Sequence, residues 1–231
     1  ISSASAYQKP LSALPITEST PLKNPFWKYS RDKIACEERL IQQYREKNFP
    51  ITIVRPSHTY DKTLLPMEGG WTVMDRILRH RLVIVHGDGT SLWTLTHHRD
   101  FAKGFIGLLG NPHAIGETFQ ITSDETLTWN QIFEIMGHAV GVEPQLIHIP
   151  SERIAMYDEA WGAGLLGDKS HSVIFDNSKI KRVVPDFVCT IPFAQGAREI
   201  AAWYMADPSR RTVNPALNLM QQQQLLVAKV R

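Results

Sequence analysis

The octapeptide FPITIVRP, residues 49 to 56, narrows most what this chain can become. Ile51, Thr52, Ile53 and Val54 form an unbroken β-branched run with no apolar–polar alternation. Such a run suits a strand buried on both faces, as inside a parallel sheet covered by helices. Parallel strands need a long crossover between them, usually a helix, and the preceding residues supply one. Asn24-Pro25 reads as a helix entry, an N-cap followed by proline in the first turn. Nothing from there to Lys47 breaks a helix. Further back, Ile1 to Ser3 reads as the end of another buried strand, separated from the helix by a Pro-rich loop from Lys9 to Pro25. Strand, helix and strand in this order predict an α/β fold with a Rossmann-type parallel sheet.

The alternation continues. Residues 61–71, with Pro66, Gly69 and Gly70, form a loop, and an amphipathic helix is expected from about Thr72 to Arg79. LVIVHGDG (82–89) is a strand entering a turn, and HHRDFAKGFIGLL (97–109) a helix with Asp100 in its first turn. GETFQIT (116–122) and QLIHIP (145–150) are strands. TWNQIFEIMGHAVG (128–141) is a helix capped by Thr128 and ended by Gly141, and TIPFAQGAREIAAWYM (190–205) is the last helix. From Asn214 the chain turns polar, with four consecutive glutamines, and a mobile tail is expected. Gly104, Gly107 and Gly110 imitate a dinucleotide fingerprint. However, only six residues, including Pro112, separate Gly110 from Glu117, which leaves no room for a crossover helix. Close helix packing is their expected role.

A formal charge of +2 gives no basic surface that would make nucleic acid the first partner to consider. Cys36 and Cys189 match neither a metal-type spacing nor a disulfide framework, and are read as reduced thiols of a cytoplasmic protein. No apolar run approaches the roughly 18 residues of a membrane span, and no signal peptide is read at the start. The opening ISSASAY, without Met, reads as part of a longer protein. His97, His98 and Asp100 are not expected to hold a metal, because a strand followed by a helix entry should splay them apart. No G-x-S-x-G elbow is present for a hydrolase triad.

One pair carries chemistry. Tyr29 and Lys33 stand one helical turn apart, on a stripe about 80° wide with Cys36, Leu40 and Tyr44. Alone, such a pair arises readily by chance. Its neighbours make it specific. Ser2-Ser3 at a strand end, Tyr7 in the following turn, PITEST (15–20) and YSRDK (29–33) resemble the catalytic stretch of the extended short-chain dehydrogenase/reductase family, NAD-dependent epimerase/dehydratase type. ITIVRPSHTY, VIVHGDGTSLWTLTHHRDFAKGFIGLL and FDNSKIKRVV, with the last helix, are similar to later segments of that family. The resemblance therefore runs over nearly the whole chain, in order.

It implies a reading of each residue. Hydride transfer between a hydroxyl-bearing carbon and nicotinamide needs a base for the hydroxyl proton. A free tyrosine ionises only near pH 10 (about 10); a lysine one turn away and a positive nicotinamide favour the phenolate. Tyr29 is thus the expected acid/base, Lys33 its electrostatic partner and ribose ligand, and Ser3 the donor that orients the reacting oxygen. Pro56, Ser57 and His58 are expected beside the nicotinamide of NAD or NADP, and Ser3, Ser5, His58 and Trp93 around a sugar-like, possibly nucleotide-linked, substrate. Departures accompany the likeness. The family's pyrophosphate-binding glycine turn precedes the Ser-Ser strand and is not among these residues. His58 stands where relatives usually carry Asn, Trp93 where they carry Arg, Asp61-Lys62 in place of Gly-Pro, and Ala4-Ser5 in place of the Asp-Glu of sugar dehydratases. Tryptophan cannot replace a guanidinium for diphosphate, so a less charged substrate is expected.

Residues 1–60 and 97–123 are assigned to the remaining part of a Rossmann domain, 61–96 and 124–206 to a smaller substrate domain, and 207–231 to a tail. The expected function is an NAD(P)-dependent epimerase, reductase or dehydrogenase, homodimeric in the full-length protein. The alternative is a non-catalytic relative that acts as a binding protein, for example for RNA.

Overall fold

The run that opens the sequence reading becomes strand β1 (Ile53–Pro56), shorter than the expected octapeptide. The computed structural model describes residues 1–219; the glutamines at 221–224 lie outside the described residues. On one edge β1 pairs in parallel with β6 (Thr118–Ile121), Ile53 opposite Thr118 and Pro56 opposite Ile121. On the other edge the Ser2 N–H donates to the Val54 carbonyl at 2.7 Å. The chain start therefore flanks β1, although Ile1–Ser3 forms no buried strand of its own, and then winds into a 3-10 turn over Ala4–Ala6. Two more parallel pairs follow: β2 (His58–Tyr60) with β5 (Leu95–His97), and β3 (Val83–His86) with β8 (Leu146–Ile149). The short strands β4 (Leu92–Trp93) and β7 (Leu127–Thr128) pair antiparallel.

Helices cover these pairs: α1 (Lys28–Lys47), α2 (Trp71–Leu78), α3 (His98–Leu108), α4 (Trp129–Ala139), α5 (Ser151–Tyr157), α6 (Glu159–Gly164), α7 (Ser178–Val183) and α8 (Phe193–Ala206). Val54, Phe119 and Ile121 pack with Leu108 of α3 and with Ile180, Val184 and Phe187. A larger core joins Met74 and Ile77 of α2, Val83 and Val85, Ile132 and Met136 of α4, and Phe193 and Ile200 of α8. Thr128 caps α4 in a reciprocal capping box with Gln131. The glycines of α3 serve packing. A Cβ at Gly104 would lie 3.0 Å from Ile121 Cγ2, and one at Gly107 only 2.3 Å from Val184 Cγ1.

Three expectations change. Helix α1 starts at Lys28, because the Asn24 amide ties a separate turn. Its Oδ1 accepts from the Phe26 and Trp27 N–H groups, and its Nδ2 donates to the Ser5 and Gly167 carbonyls. The inward stripe of α1 is also rotated from the expected one. Ser30 and Glu37 are buried, while Tyr29, Cys36 and Leu40 are exposed. The cause is electrostatic: Arg55 of β1 donates from Nε and Nη2 to the two Glu37 oxygens at 2.9 and 2.5 Å, which turns that face inward. Finally, the start of the expected mobile tail is docked. A helical turn spans 215–219, the Asn214 N–H donates to Thr72 Oγ1, and Asn218 Oδ1 accepts from Arg76 Nη1 at 2.7 Å.

Both partners of the Arg55–Glu37 pair are nearly solvent-free, at 4% and 1% exposure. Removing one partner strands the other charge. Glu37→Ala is expected to lower stability by about 3–5 kcal/mol, and the double variant Glu37→Leu/Arg55→Met to lose much less. Urea titrations check both, and a Glu37→Ala loss below about 1 kcal/mol would refute the assignment.

Candidate active site

The hydroxyls come first. Ser3 caps the 3-10 turn with its Oγ, which accepts from the Ser5 N–H at 3.2 Å. Ser30, buried on α1, donates to Ser5 Oγ at 2.8 Å, and Ser5 and Ser3 share a 2.9 Å hydrogen bond. With Ser30 donating to Ser5 and Ser5 to Ser3, the Ser3 proton remains available for a ligand. Ser30 lies next to Tyr29 in sequence, yet the Tyr-x-x-x-Lys reading passed over it.

Tyr29 occupies the first turn of α1, 44% exposed, its ring 4.9 Å from that of Trp27. Lys33 lies one turn further, its Nζ 5.6 Å from the Tyr29 ring centre and donating to the Ile1 carbonyl at 3.1 Å. The backbone that flanks β1 thus holds the lysine behind the tyrosine.

Pro56, Ser57 and His58 follow as β1 passes into β2. Ser57 Oγ donates to the Thr94 carbonyl at 3.0 Å. The Trp93 indole N–H donates to His58 Nδ1 at 3.1 Å, with the rings edge to face. That bond makes Nδ1 the acceptor and leaves the proton on Nε2. Burial first, and the nearby Lys169 cation second, push the His58 pKa down to about 3, so the ring is neutral. Trp93 itself is 3% exposed and packs 5.4 Å from Trp129. Its one polar group is spent on His58.

These segments enclose a cavity of about 260 Å³. Ser3, Ser5, Tyr29, Pro56, Ser57, His58 and Trp93 line it, and of the residues picked from the sequence only Lys33 stands outside the wall. The rest of the lining was not legible in the sequence: Trp27, Asp168, Lys169, Val173 and Phe175. Asp168 and Lys169 end a π-helical turn, Leu165–Lys169, the kind of helical irregularity that often marks functional sites. No short-range pattern signals it, since its partners are remote in sequence. Gly167 is the one glycine here whose lack of a Cβ matters, because a Cβ would meet Trp27 Cβ at 2.6 Å. Asp168 pairs at 3.2 Å with Lys9, whose side chain is fully buried.

His97 and His98 differ from expectation in one respect. Their rings lie 4.5 Å apart rather than splayed. His97 is nevertheless engaged at both nitrogens, by the Arg99 N–H and by Glu199, and Asp100 accepts from the Thr190 and Ile191 N–H groups. Among the described residues no group of three His, Cys, Asp or Glu could hold a metal ion.

The 2'-dehydrokanamycin reductase of Streptomyces kanamyceticus is 25% identical over 184 residues, which cover 77% of this chain and 51% of the reductase. The fold is that of Epimerase Mth375 from Methanothermobacter thermautotrophicus, with a TM-score of 0.74 at 16% identity over 90% of this chain and 59% of that one. The UDP-glucuronic acid 4-epimerase from Bacillus cereus in complex with NAD gives a TM-score of 0.71 at 17% identity, over 89% and 60%. The chain thus spans about half the length of the reductase and about three-fifths of the two epimerases. Residues 1–122, more than half of the chain, match the model of the NAD dependent epimerase/dehydratase family, and the chain belongs to that family.

Proposed function

We propose that this protein is an NAD(P)-dependent epimerase, reductase or dehydrogenase acting on a hydroxyl or carbonyl of a sugar-like molecule, with Tyr29 as its acid/base. The observation that carries this reading is the convergence of Ser3, Tyr29 and His58, from three separate segments, on one cavity. The residues present fit a nicotinamide riboside end. Pro56 and Ser57 give the wall a short neutral stretch, and Lys33 keeps N–H donors beyond the one spent on Ile1, for ribose hydroxyls. The family is NAD dependent, and the Bacillus cereus neighbour holds NAD. When bound, the nicotinamide accepts or supplies the hydride.

The chain's own residues do the rest. In oxidation the Tyr29 oxygen takes the proton of the substrate hydroxyl, and in reduction it returns one to the carbonyl oxygen. The Lys33 cation beside the ring favours the tyrosinate, the form that stands ready before oxidation and is left after reduction. The Ser3 hydroxyl, supplied through Ser5 and Ser30, donates to the reacting oxygen and fixes its position. Trp27, Trp93 and Phe175 exclude water from the wall, which strengthens each of these interactions. No helix among the described residues is long and apolar enough to cross a membrane; action in the cytoplasm by a homodimer belongs to the same proposal.

Tyr29→Phe keeps the ring against Trp27 and removes only the oxygen. Hydride transfer is expected to fall about 10² to 10⁴-fold, with cofactor affinity nearly unchanged. Single-turnover absorbance of the nicotinamide reads this directly, and an unchanged rate would reject the role.

The neutral His58 gives a second expectation. Its folded pKa of about 3, and that of buried His86 at about 4, lie below the ordinary value near 6.5. Between these values the unfolded chain binds more protons than the folded one, so stability rises with pH. Urea midpoints should therefore fall as pH drops from about 6.5 towards 4, with a shallower fall in His58→Asn. Equal pH slopes in the two proteins would contradict a neutral, desolvated His58.

A further inference from the structure

One buried charge takes no part in the chemistry of the cavity. The Lys9 side chain is fully enclosed, and its one salt bridge among the described residues is to Asp168, at 3.2 Å. Its ammonium makes no further hydrogen bond among them. Desolvation offsets much of the attraction of such a pair, and apolar side chains of similar volume often hold two segments as firmly. What an ion pair adds is direction. It ties one particular segment to another at a set distance.

Each of the two segments is closed on itself. Lys9 lies on a short ribbon, in which the Gln8 N–H donates to the Pro21 carbonyl, the Lys9 N–H to Lys23 and the Lys23 N–H to Ala6. One side of this ribbon continues from the Ser3–Ser5 turn, and the other leads through Asn24 into α1 with Tyr29. Asp168 belongs to the turn Leu165–Lys169. There the Ser170 N–H donates to the Leu165 carbonyl at 3.0 Å and the His171 N–H to the Asp168 carbonyl at 3.1 Å. The last carbonyl of the turn is held by Trp129 and Ser91. Two side chains of the ribbon then grip successive residues of the turn. Asn24 Nδ2 donates to the Gly167 carbonyl at 2.7 Å, and Lys9 pairs with the Asp168 carboxylate. A second point of attachment fixes rotation as well as separation, which a single bond cannot do.

We propose that Lys9 is a positioning residue: together with Asn24 it clamps the Leu165–Lys169 turn to the ribbon between Ser3 and Tyr29, and this register sets the rate of hydride transfer. The proposal rests on the sugar-oxidoreductase reading above and adds a residue that acts from outside the cavity lining. Asp168 transmits the effect, because it lines the cavity and Lys9 does not. The reach of such a residue is large, since a misplacement of about 1 Å can slow a reaction about 10²-fold.

The test is a double-mutant cycle in the full-length protein, with Lys9→Met, Asp168→Asn and the two combined. UDP-glucose, D-glucuronate and D-glucose are offered as hydride donors, and nicotinamide absorbance is followed in single turnovers with the fastest of them. Urea midpoints and NAD⁺ affinity are measured alongside. Each single variant is expected to transfer hydride about tenfold more slowly at saturating donor. The double variant should be no slower than the singles, and NAD⁺ affinity should stay at the wild-type value throughout. Stability should move differently. Asp168→Asn strands a buried ammonium and lowers the urea midpoint, whereas the double variant, free of both charges, should return close to wild type. A pair that served folding alone would restore the rate together with the midpoint. A rate recovered in the double variant, losses that multiply, a fall in NAD⁺ affinity that matches the loss of rate, or a wild-type rate in Lys9→Met would each overturn the proposal. If Asp168→Asn does not fold, Lys9→Met and the double variant still decide. Tyr29→Phe is measured in parallel. Transfer that needs Tyr29 but ignores Lys9 rejects the clamp alone. Transfer insensitive to Tyr29, or none from any donor, rejects the sugar-oxidoreductase reading and the clamp with it.

Discussion

The buried pair between Arg55 and Glu37 is the constraint on which the site depends. It joins the strand that leads into Pro56–His58 to the helix that carries Tyr29 and Lys33. Arg55 is further held by the Glu18 carbonyl and stacks 4.9 Å over the Tyr7 ring, whose hydroxyl donates to Gln120 on the neighbouring strand. A buried ion pair is a weak source of net stability, since desolvation offsets much of its attraction. Its effect here is orientation. With Glu37 turned inward, Ser30 two turns earlier also faces inward and meets Ser5, while Tyr29 is left at the cavity mouth.

The rest of the lining is fixed by different means. The turn Leu165–Lys169 is held by polar contacts to its backbone: Asn24 on the Gly167 carbonyl, Ser170 Oγ on the Leu165 carbonyl, and Trp129 and Ser91 on the Lys169 carbonyl. Asn24 is shared, because the same amide holds the turn before α1 and the Ser5 carbonyl. One side chain therefore links the Ser3–Ser5 turn to the turn that ends in Lys169. Rigid support of this kind is what a reaction sensitive to sub-ångström placement requires.

The parts legible in the sequence were those whose signals are local. The β-branched run at Ile51–Val54, the Thr128 cap and the packing glycines of α3 were readable because period, capping chemistry and spacing act within a few residues. Ser3, Tyr29 and Lys33 were singled out by their order in a family pattern; the first two line the cavity and Lys33 does not. The start of α1 was misplaced because Asn24 bonds to residues remote in sequence, Ser5 and Gly167, which no local rule contains. The inward face of α1 was misjudged for a related reason. A pattern of apolar residues pointed to Leu40, while a buried charge, Glu37, set the rotation. Lys169 was invisible for want of any periodic signal in a π-helical turn, so the absence of arginine at Trp93 was read as an absence of charge.

A crystal structure of the protein with NAD⁺ bound tests the central claim most directly. The account predicts the nicotinamide against Pro56–His58, with the Lys33 ammonium within about 3 Å of the ribose hydroxyls and the Tyr29 oxygen free to reach a ligand at the ring's reactive face. Nicotinamide density outside the cavity, or a ribose held without Lys33 and a Tyr29 oxygen turned to solvent, would contradict it.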